Sequence, residues 1–289
     1  MRDLGAEVTE EGGVIRCRAP RLTPGRLVLG FPSVGATENL MLAACAAQGT
    51  TTIENAAREP EIWDLQAFLN TCGADISGAG TSTITIRGGK PLHGGRYCVM
   101  PDRIVAATYL CACAAAGGEV YLRRAREGQL SAVAESLRRA GCAVTGDGDG
   151  IRCKSPGGLR AVPLVRTAPY PGFPTDAQAL VMAALLRAEG SSVFEENMFE
   201  NRYRHVDELR RLGGDIRVLG RMAVVSGVER LRGARLRCTD LRGGAALCAA
   251  ALGAQGESRI EALTHIDRGY EDIARDLAAL GADITRREE

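Results

Sequence analysis

Four short stretches of the 289-residue chain collect side chains suited to holding an anion. They read Ser33-Val34-Gly35-Ala36-Thr37-Glu38, Pro101-Asp102-Arg103, Pro174-Thr175-Asp176 and Thr239-Asp240-Leu241-Arg242-Gly243-Gly244, and each opens a run that is otherwise apolar and rich in alanine. A helix N-terminus carries unpaired N–H groups and about half a positive charge, so several converging on one place would make a pocket for phosphates. Capping alone explains Ser, Thr and Asp at such positions. It does not call for the arginines beside them, Arg103 and Arg242, whose forked donors suit phosphate. On the residues themselves both readings stay open. Two further places stand out. Arg202 and His205 occupy positions that the apolar periodicity assigns to a buried helix face, where they need a partner or a cleft, so a structural ion pair and a ligand contact both fit. Asp267-Arg268 stands at the entrance of another helix.

The elements that position these groups come from an internal repeat. Glycines 5, 73, 141, 213 and 281 are separated by 68, 68, 72 and 68 residues. Before the full-length intervals lies a helix pattern with apolar residues 11, 8, 4 and 1 positions upstream, as in Ile62, Leu65, Leu69, Cys72 and Leu130, Val133, Leu137, Ala140. The glycine then ends that helix. Short β-like runs follow, including residues 74–76, 214–216 and 282–284. A second glycine, at 49, 117, 190 or 256, ends an alanine-rich helix and opens a strand such as Thr51-Thr52-Ile53-Glu54. Each unit therefore reads helix, strand, helix, strand pair. The Gly/Pro-containing stretch 88–95, leading through a strand to Pro101, offers a domain boundary. The expected domains are residues 1–100, an incomplete first domain of about one and a half repeats, and residues 101–289, a second domain of three repeats. Residues 1–18 read as the tail of a unit that starts elsewhere, since a helix reduced to its last turn cannot bury its apolar face; a short natural paralogue is the alternative.

Composition narrows the function classes. The formal net charge is +1, with 25% charged and 4% aromatic residues. Rows such as Arg123-Arg124-Ala125-Arg126 lack interleaved aromatics for base stacking and read as solvated faces, so no nucleic-acid partner is expected. No uncharged apolar run reaches membrane-spanning length and no signal-peptide pattern occurs near Met1, which points to a cytoplasmic chain with no membrane partner. The ten cysteines form no pairs at zinc-site spacing and mostly lie in apolar surroundings, as reduced core residues. His93 and His265 are far apart in sequence, so metal catalysis lacks support.

Longer phrases carry a more specific signal. Phe31-Pro-Ser33-Val-Gly35-Ala-Thr-Glu-Asn39, Glu54-Asn-Ala-Ala-Arg58-Glu-Pro-Glu61, Arg166-Thr-Ala-Pro, Phe173-Pro-Thr-Asp176, Phe199-Glu-Asn-Arg202, Thr239-Asp-Leu-Arg242 and His265-Ile-Asp-Arg268-Gly-Tyr-Glu271 closely resemble the UDP-N-acetylglucosamine enolpyruvyl transferases, over essentially the whole chain. The resemblance implies an α/β fold, the inside-out α/β barrel of two three-repeat domains around a cleft. It implies transfer of the enolpyruvyl group of phosphoenolpyruvate to the 3-hydroxyl of UDP-N-acetylglucosamine, with no metal or organic cofactor. By the same resemblance Asp176 would be the general base at that hydroxyl, its place at a helix N-terminus suiting it to orient the hydroxyl more than to abstract its proton. Arg268 would hold the phosphate, with Arg242 assisting and Asp240 orienting it. Ser33, Val34 and Gly35 would donate backbone groups to the diphosphate; Met198 and Phe199 would line the sugar nucleotide, supported by Asn201 and Arg202. The family's Lys-Asn pair and its loop with a reactive cysteine or aspartate would precede Met1, so the chain alone is expected to be impaired by several orders of magnitude, and an N-terminal segment is an expected partner. The alternatives are a non-catalytic binder of UDP-sugars and, with less support from the phrases, a shikimate-pathway enolpyruvyl transferase.

Overall fold

A computed structural model describes residues 1–287. The chain divides into two compact units: residues 1–100 with 169–171, and residues 101–168 with 172–289.

The first unit begins with a 3-10 turn at Arg2–Leu4 and an antiparallel hairpin, β1 (Glu7–Glu11) and β2 (Val14–Arg18). It continues through β3 (Arg26–Val28), α1 (Val34–Ala46), β4 (Gly49–Glu54), α2 (Pro60–Thr71), β5 (Ile76–Ser77) and β6 (Thr83–Gly88). The last four strands form one sheet in the order β3-β4-β6-β5, with β3 and β4 parallel and the other pairs antiparallel. Period-2 alternation sends Leu27, Ile53, Ile84 and Ile86 inward against Met41 and Ile62 of the helices.

In the second unit the chain runs through α3 (Arg103–Ala116), β7 (Gly118–Arg123), α4 (Glu127–Arg139), β8 (Ala143–Gly146), β9 (Gly150–Ser155) and β10 (Leu164–Arg166). It goes on to α5 (Thr175–Ala184), β11 (Ser191–Glu195), α6 (Val206–Arg211), β12 (Asp215–Leu219), β13 (Met222–Ser226), β14 (Arg235–Arg237), α7 (Leu241–Leu252), β15 (Arg259–Glu261) and α8 (Ile273–Ala279). The sheets are β7-β9-β8, β10-β11-β13-β12 and β14-β15. Helices α3, α5 and α7 pack on one another, and each is buried along nearly its whole length: residues 106–114, 177–184 and 243–250 are all inside. A helix that is apolar all round belongs at a centre, and the alanines, cysteines and glycines of these three let their backbones approach closely. At Gly244 an added Cβ would lie 2.7 Å from Ile266 Cγ1 and 2.9 Å from Cys238 Sγ, so the alanine-rich pattern must drop to glycine there.

The repeat period is a repeated helix cap. Gly73, Gly141, Gly213 and Gly281 all have φ between 96° and 108°, and the residue after each bonds back to the carbonyl of Leu69, Leu137, Leu209 or Leu277. Gly5 caps its turn in the same left-handed conformation. Gly141 has open space where a Cβ would go, so Gly141→Ala should cost backbone strain alone, about 1 to 2 kcal/mol in urea unfolding.

Several expectations need correction. Arg202 and His205 are not on a helix face, because α6 begins only at Val206 and the two residues belong to the turn ahead of it. Residues 282–284 form no strand; Ala282 and Ile284 pack on the core without a ladder partner. Residues 91–100 likewise form no strand and are held instead by bonds such as Met100 N to the Asp64 carboxylate. Cys17 and Cys98 are exposed while the other cysteines are buried. No helix among the described residues is long and apolar enough to cross a membrane.

Candidate functional site

Packing α5 against α7 brings together two side chains that are 66 residues apart. Asp176, in the first turn of α5, takes Arg242 of α7 on Oδ2, with Nε and Nη2 each at 3.0 Å. Its other oxygen, Oδ1, accepts Arg202 Nη2 at 2.6 Å. The carboxylate is therefore held between two guanidinium groups.

Each partner is positioned by its own local structure. Asp240 is the N-cap of α7, and its Oδ1 accepts the N–H groups of Arg242 and Gly243 at 3.0 and 2.8 Å, which fixes the turn that presents Arg242. Burial opposes the charge on Arg242, and Asp176 and Tyr270 outweigh it, so its pKa stands above the ordinary value. Nη1 of Arg242 is buried with no hydrogen bond of normal geometry, a donor of the kind a ligand oxygen satisfies. Tyr270 is anchored in turn by Thr108 of α3, oxygen to oxygen 2.7 Å. Arg202 lies over the Phe199 ring at 5.7 Å, a cation–π distance. Phe199 is half-exposed, and Asn201 takes a left-handed φ of 54° in the turn between them.

The structure places the remaining candidates less closely. Arg103 is buried at the first turn of α3, which Asp102 caps through Ile104 N and Val105 N. Arg268 is exposed, two residues before Tyr270, and forms no ion pair among the described residues. Met198 joins the site through its backbone N–H. In the first unit Ser33 caps α1 by accepting Ala36 N at 3.3 Å, so Val34 and Gly35 form the opening turn of that helix. Among the described residues, no cluster of three or more His, Cys, Asp or Glu side chains is placed to hold a metal ion.

His205, singled out with Arg202 by the helical spacing, is buried. It is 1% exposed and its Nε2 has no partner. Burial pushes its pKa down from 6.5 to about 4, against the raising effect of Asp240 and together with the lowering effect of Arg202. The unfolded chain takes up a proton near 6.5 and the folded chain only near 4, so the unfolded state binds more protons between them. Stability is thus intact above pH 6.5 and falls as the pH drops toward 4, by about 3 kcal/mol for this one group. Urea unfolding at pH 7 and pH 4 should show that extra loss in the wild type, and His205→Asn should lack it.

The sequence has clear relatives. A family model described as EPSP synthase (3-phosphoshikimate 1-carboxyvinyltransferase) matches residues 1–277. UDP-N-acetylglucosamine 1-carboxyvinyltransferase 2 of Caldanaerobacter subterraneus subsp. tengcongensis is 48% identical over 286 residues, covering 99% of this chain and 69% of that one. UDP-N-acetylglucosamine 1-carboxyvinyltransferase of Gluconacetobacter diazotrophicus is 50% identical over 290 residues, covering 100% and 69%. Among solved structures, the enolpyruvyl transferase NikO from Streptomyces tendae matches with a TM-score of 0.86 at 29% identity, over 99% of this chain and 70% of that one. An EPSP synthase from Acinetobacter baumannii shares the fold at a TM-score of 0.73 and 20% identity, over 99% and 70%.

Proposed function

The chain belongs to the UDP-N-acetylglucosamine 1-carboxyvinyltransferases, within the enolpyruvyl transferase fold, and we propose on that premise that it serves the family's reaction in peptidoglycan synthesis. The 3-hydroxyl of UDP-N-acetylglucosamine adds to C2 of phosphoenolpyruvate while C3 gains a proton. The resulting tetrahedral ketal then loses phosphate and a C3 proton, leaving the enol ether. The observation that carries this reading is Asp176 between Arg202 and Arg242 at the N-terminal ends of two central helices.

In this reading Asp176 meets the 3-hydroxyl, and its two ion pairs fix where its oxygens point, so orientation is its first task. Arg242 contacts the phosphate through its unpaired Nη1, with Asp240 holding the turn beneath it. Arg268 adds a second, solvent-facing guanidinium, and Arg103 is the cation of the neighbouring helix start. Ser33, Val34 and Gly35 offer backbone groups to the diphosphate. Phe199 and Met198 line the nucleotide side, and Asn201 and Arg202 support that wall. In the same reading the protein works in the cytoplasm.

An N-terminal segment belongs to this proposal as a partner of the first unit; the chain spans 69% of the length of the matched relatives, which leaves room for one. Titration calorimetry with UDP-N-acetylglucosamine tests the binding half. Binding that Arg202→Ala weakens supports the reading, binding without turnover even after addition of the N-terminal segment favours a non-catalytic UDP-sugar binder, and no binding in either form rejects both.

A further inference from the structure

Immediately after β11 lies an acidic side chain that the reaction scheme above does not use. The alternation that buries Ser192 and Phe194 on one face of the strand continues to Glu196, which is 1% exposed. A carboxylate there is costly unless its oxygens are filled. They are. Oε1 accepts Thr167 Oγ1 at 3.0 Å, Met198 N at 2.8 Å and Phe199 N at 3.1 Å, and Oε2 accepts Thr175 Oγ1 at 2.9 Å. Thr167 Oγ1 in turn accepts Asn197 N at 2.8 Å.

These bonds tie together the two segments on which the site depends. Thr175 is the residue before Asp176, in the first turn of α5. Met198 and Phe199 begin the turn that carries Arg202, and Arg202 closes the ring by bonding Asp176 at 2.6 Å. Without Glu196, the turn would keep its Tyr203 hydroxyl bonds to the carbonyls of Phe194 and Arg221, but its direct hydrogen-bonded link to the start of α5 would be reduced to the Arg202–Asp176 ion pair, which is partly open to water. A neutral apolar residue would pack in the same space without bonding four donors from three places in the chain.

We propose that Glu196 is a positioning residue for the transfer site, setting the placement of Asp176 and of the turn that carries Phe199 and Arg202. This inference rests on the functional reading above for its kinetic consequences, and on the hydrogen bonds alone for its structural ones.

The test compares Glu196→Ala, Glu196→Gln and Thr175→Val in the full chain, with the N-terminal segment of a matched relative added for the kinetics, at a temperature at which circular dichroism shows each to be folded. In Glu196→Gln the amide oxygen can take the place of Oε1, and its NH2 can face Thr175, whose hydroxyl turns round to accept. Glu196→Ala should lower kcat/KM for UDP-N-acetylglucosamine by about 10- to 100-fold, with Glu196→Gln restoring most of it. Thr175→Val, which removes one bond and keeps the shape, should lower it by about 3- to 10-fold. The loss should fall on kcat and on the KM for the sugar nucleotide, with the KM for phosphoenolpyruvate near wild type. Amide exchange in residues 198–205 should speed up in Glu196→Ala and return to the wild-type rate in Glu196→Gln. A folded Glu196→Ala with wild-type exchange in that segment overturns the proposal, as do wild-type kinetics in both Glu196→Ala and Thr175→Val. If Glu196→Ala fails to fold, Thr175→Val decides by the same kinetics. A wild-type chain with neither transfer nor sugar-nucleotide binding would sink the functional reading instead, and the exchange rates would still decide the role of Glu196.

Discussion

Asp176→Asn should lower the rate of phosphate release from phosphoenolpyruvate by about 10²- to 10⁴-fold, the range typical of removing a positioned acid or base. The substitution keeps the size of the side chain and one oxygen. It removes the charge that holds Arg202 and Arg242, and it turns an NH2 toward one of them. Two guanidinium groups then face one amide. The Asp176 side chain is 38% exposed, and water screens part of what is lost, so the stability cost should be only about 1 kcal/mol. Kinetics and a thermal melt on the same preparation separate the two effects. A drop in rate matched by a melting transition below the assay temperature would assign Asp176 to the fold, and a drop in rate in a folded protein assigns it to the reaction.

Arg242→Lys is expected to have the next largest effect, about 10²- to 10³-fold in kcat, comparable to deleting one donor that stabilises developing charge. Arginine here spends Nε and Nη2 on Asp176 and keeps Nη1 in reserve. A lysine ammonium is a single point of charge and cannot reach Asp176 and a phosphate oxygen with the same fixed fork. Its side chain is 14% exposed, and the positive charge that Asp176 requires is retained, so the fold should survive. The defect should appear in the KM for phosphoenolpyruvate as well as in kcat. An unchanged KM for phosphoenolpyruvate would remove Arg242 from the phosphate side of the site.

Much of this arrangement can be read from the residues, for reasons that differ by element. The repeat is legible because a helix that ends in the left-handed region needs glycine, and five such ends recur at nearly constant spacing. Helix starts are legible because Ser33, Asp102 and Asp240 are capping residues and do cap α1, α3 and α7. Three strands escape detection: β3, β10 and β14 are each three residues long, too short for a period, and exist because a parallel neighbour (β4, β11 or β15) holds them. The start of α6 is also hidden, since Arg202 and His205 fit the helical spacing but serve a turn. That Asp176 meets both Arg202 and Arg242 is a matter of how α5 packs on α7, which no local pattern states. Glu196 had a usable signal: it stands two residues beyond Phe194, itself two beyond Ser192, on the buried face of a strand. The neighbouring Glu195, which pairs with Arg166 on the exposed face, disguises it as half of a surface acidic pair.

The central claim is that this chain serves enolpyruvyl transfer to a sugar nucleotide. Phosphate release from phosphoenolpyruvate is the direct measurement, made with UDP-N-acetylglucosamine or with 3-phosphoshikimate as acceptor, on the chain alone and with the N-terminal segment of a matched relative added. Release that depends on UDP-N-acetylglucosamine, strongest in the mixture and lost in Asp176→Asn, is the expected result; release driven by 3-phosphoshikimate instead, or none in any combination, would contradict it.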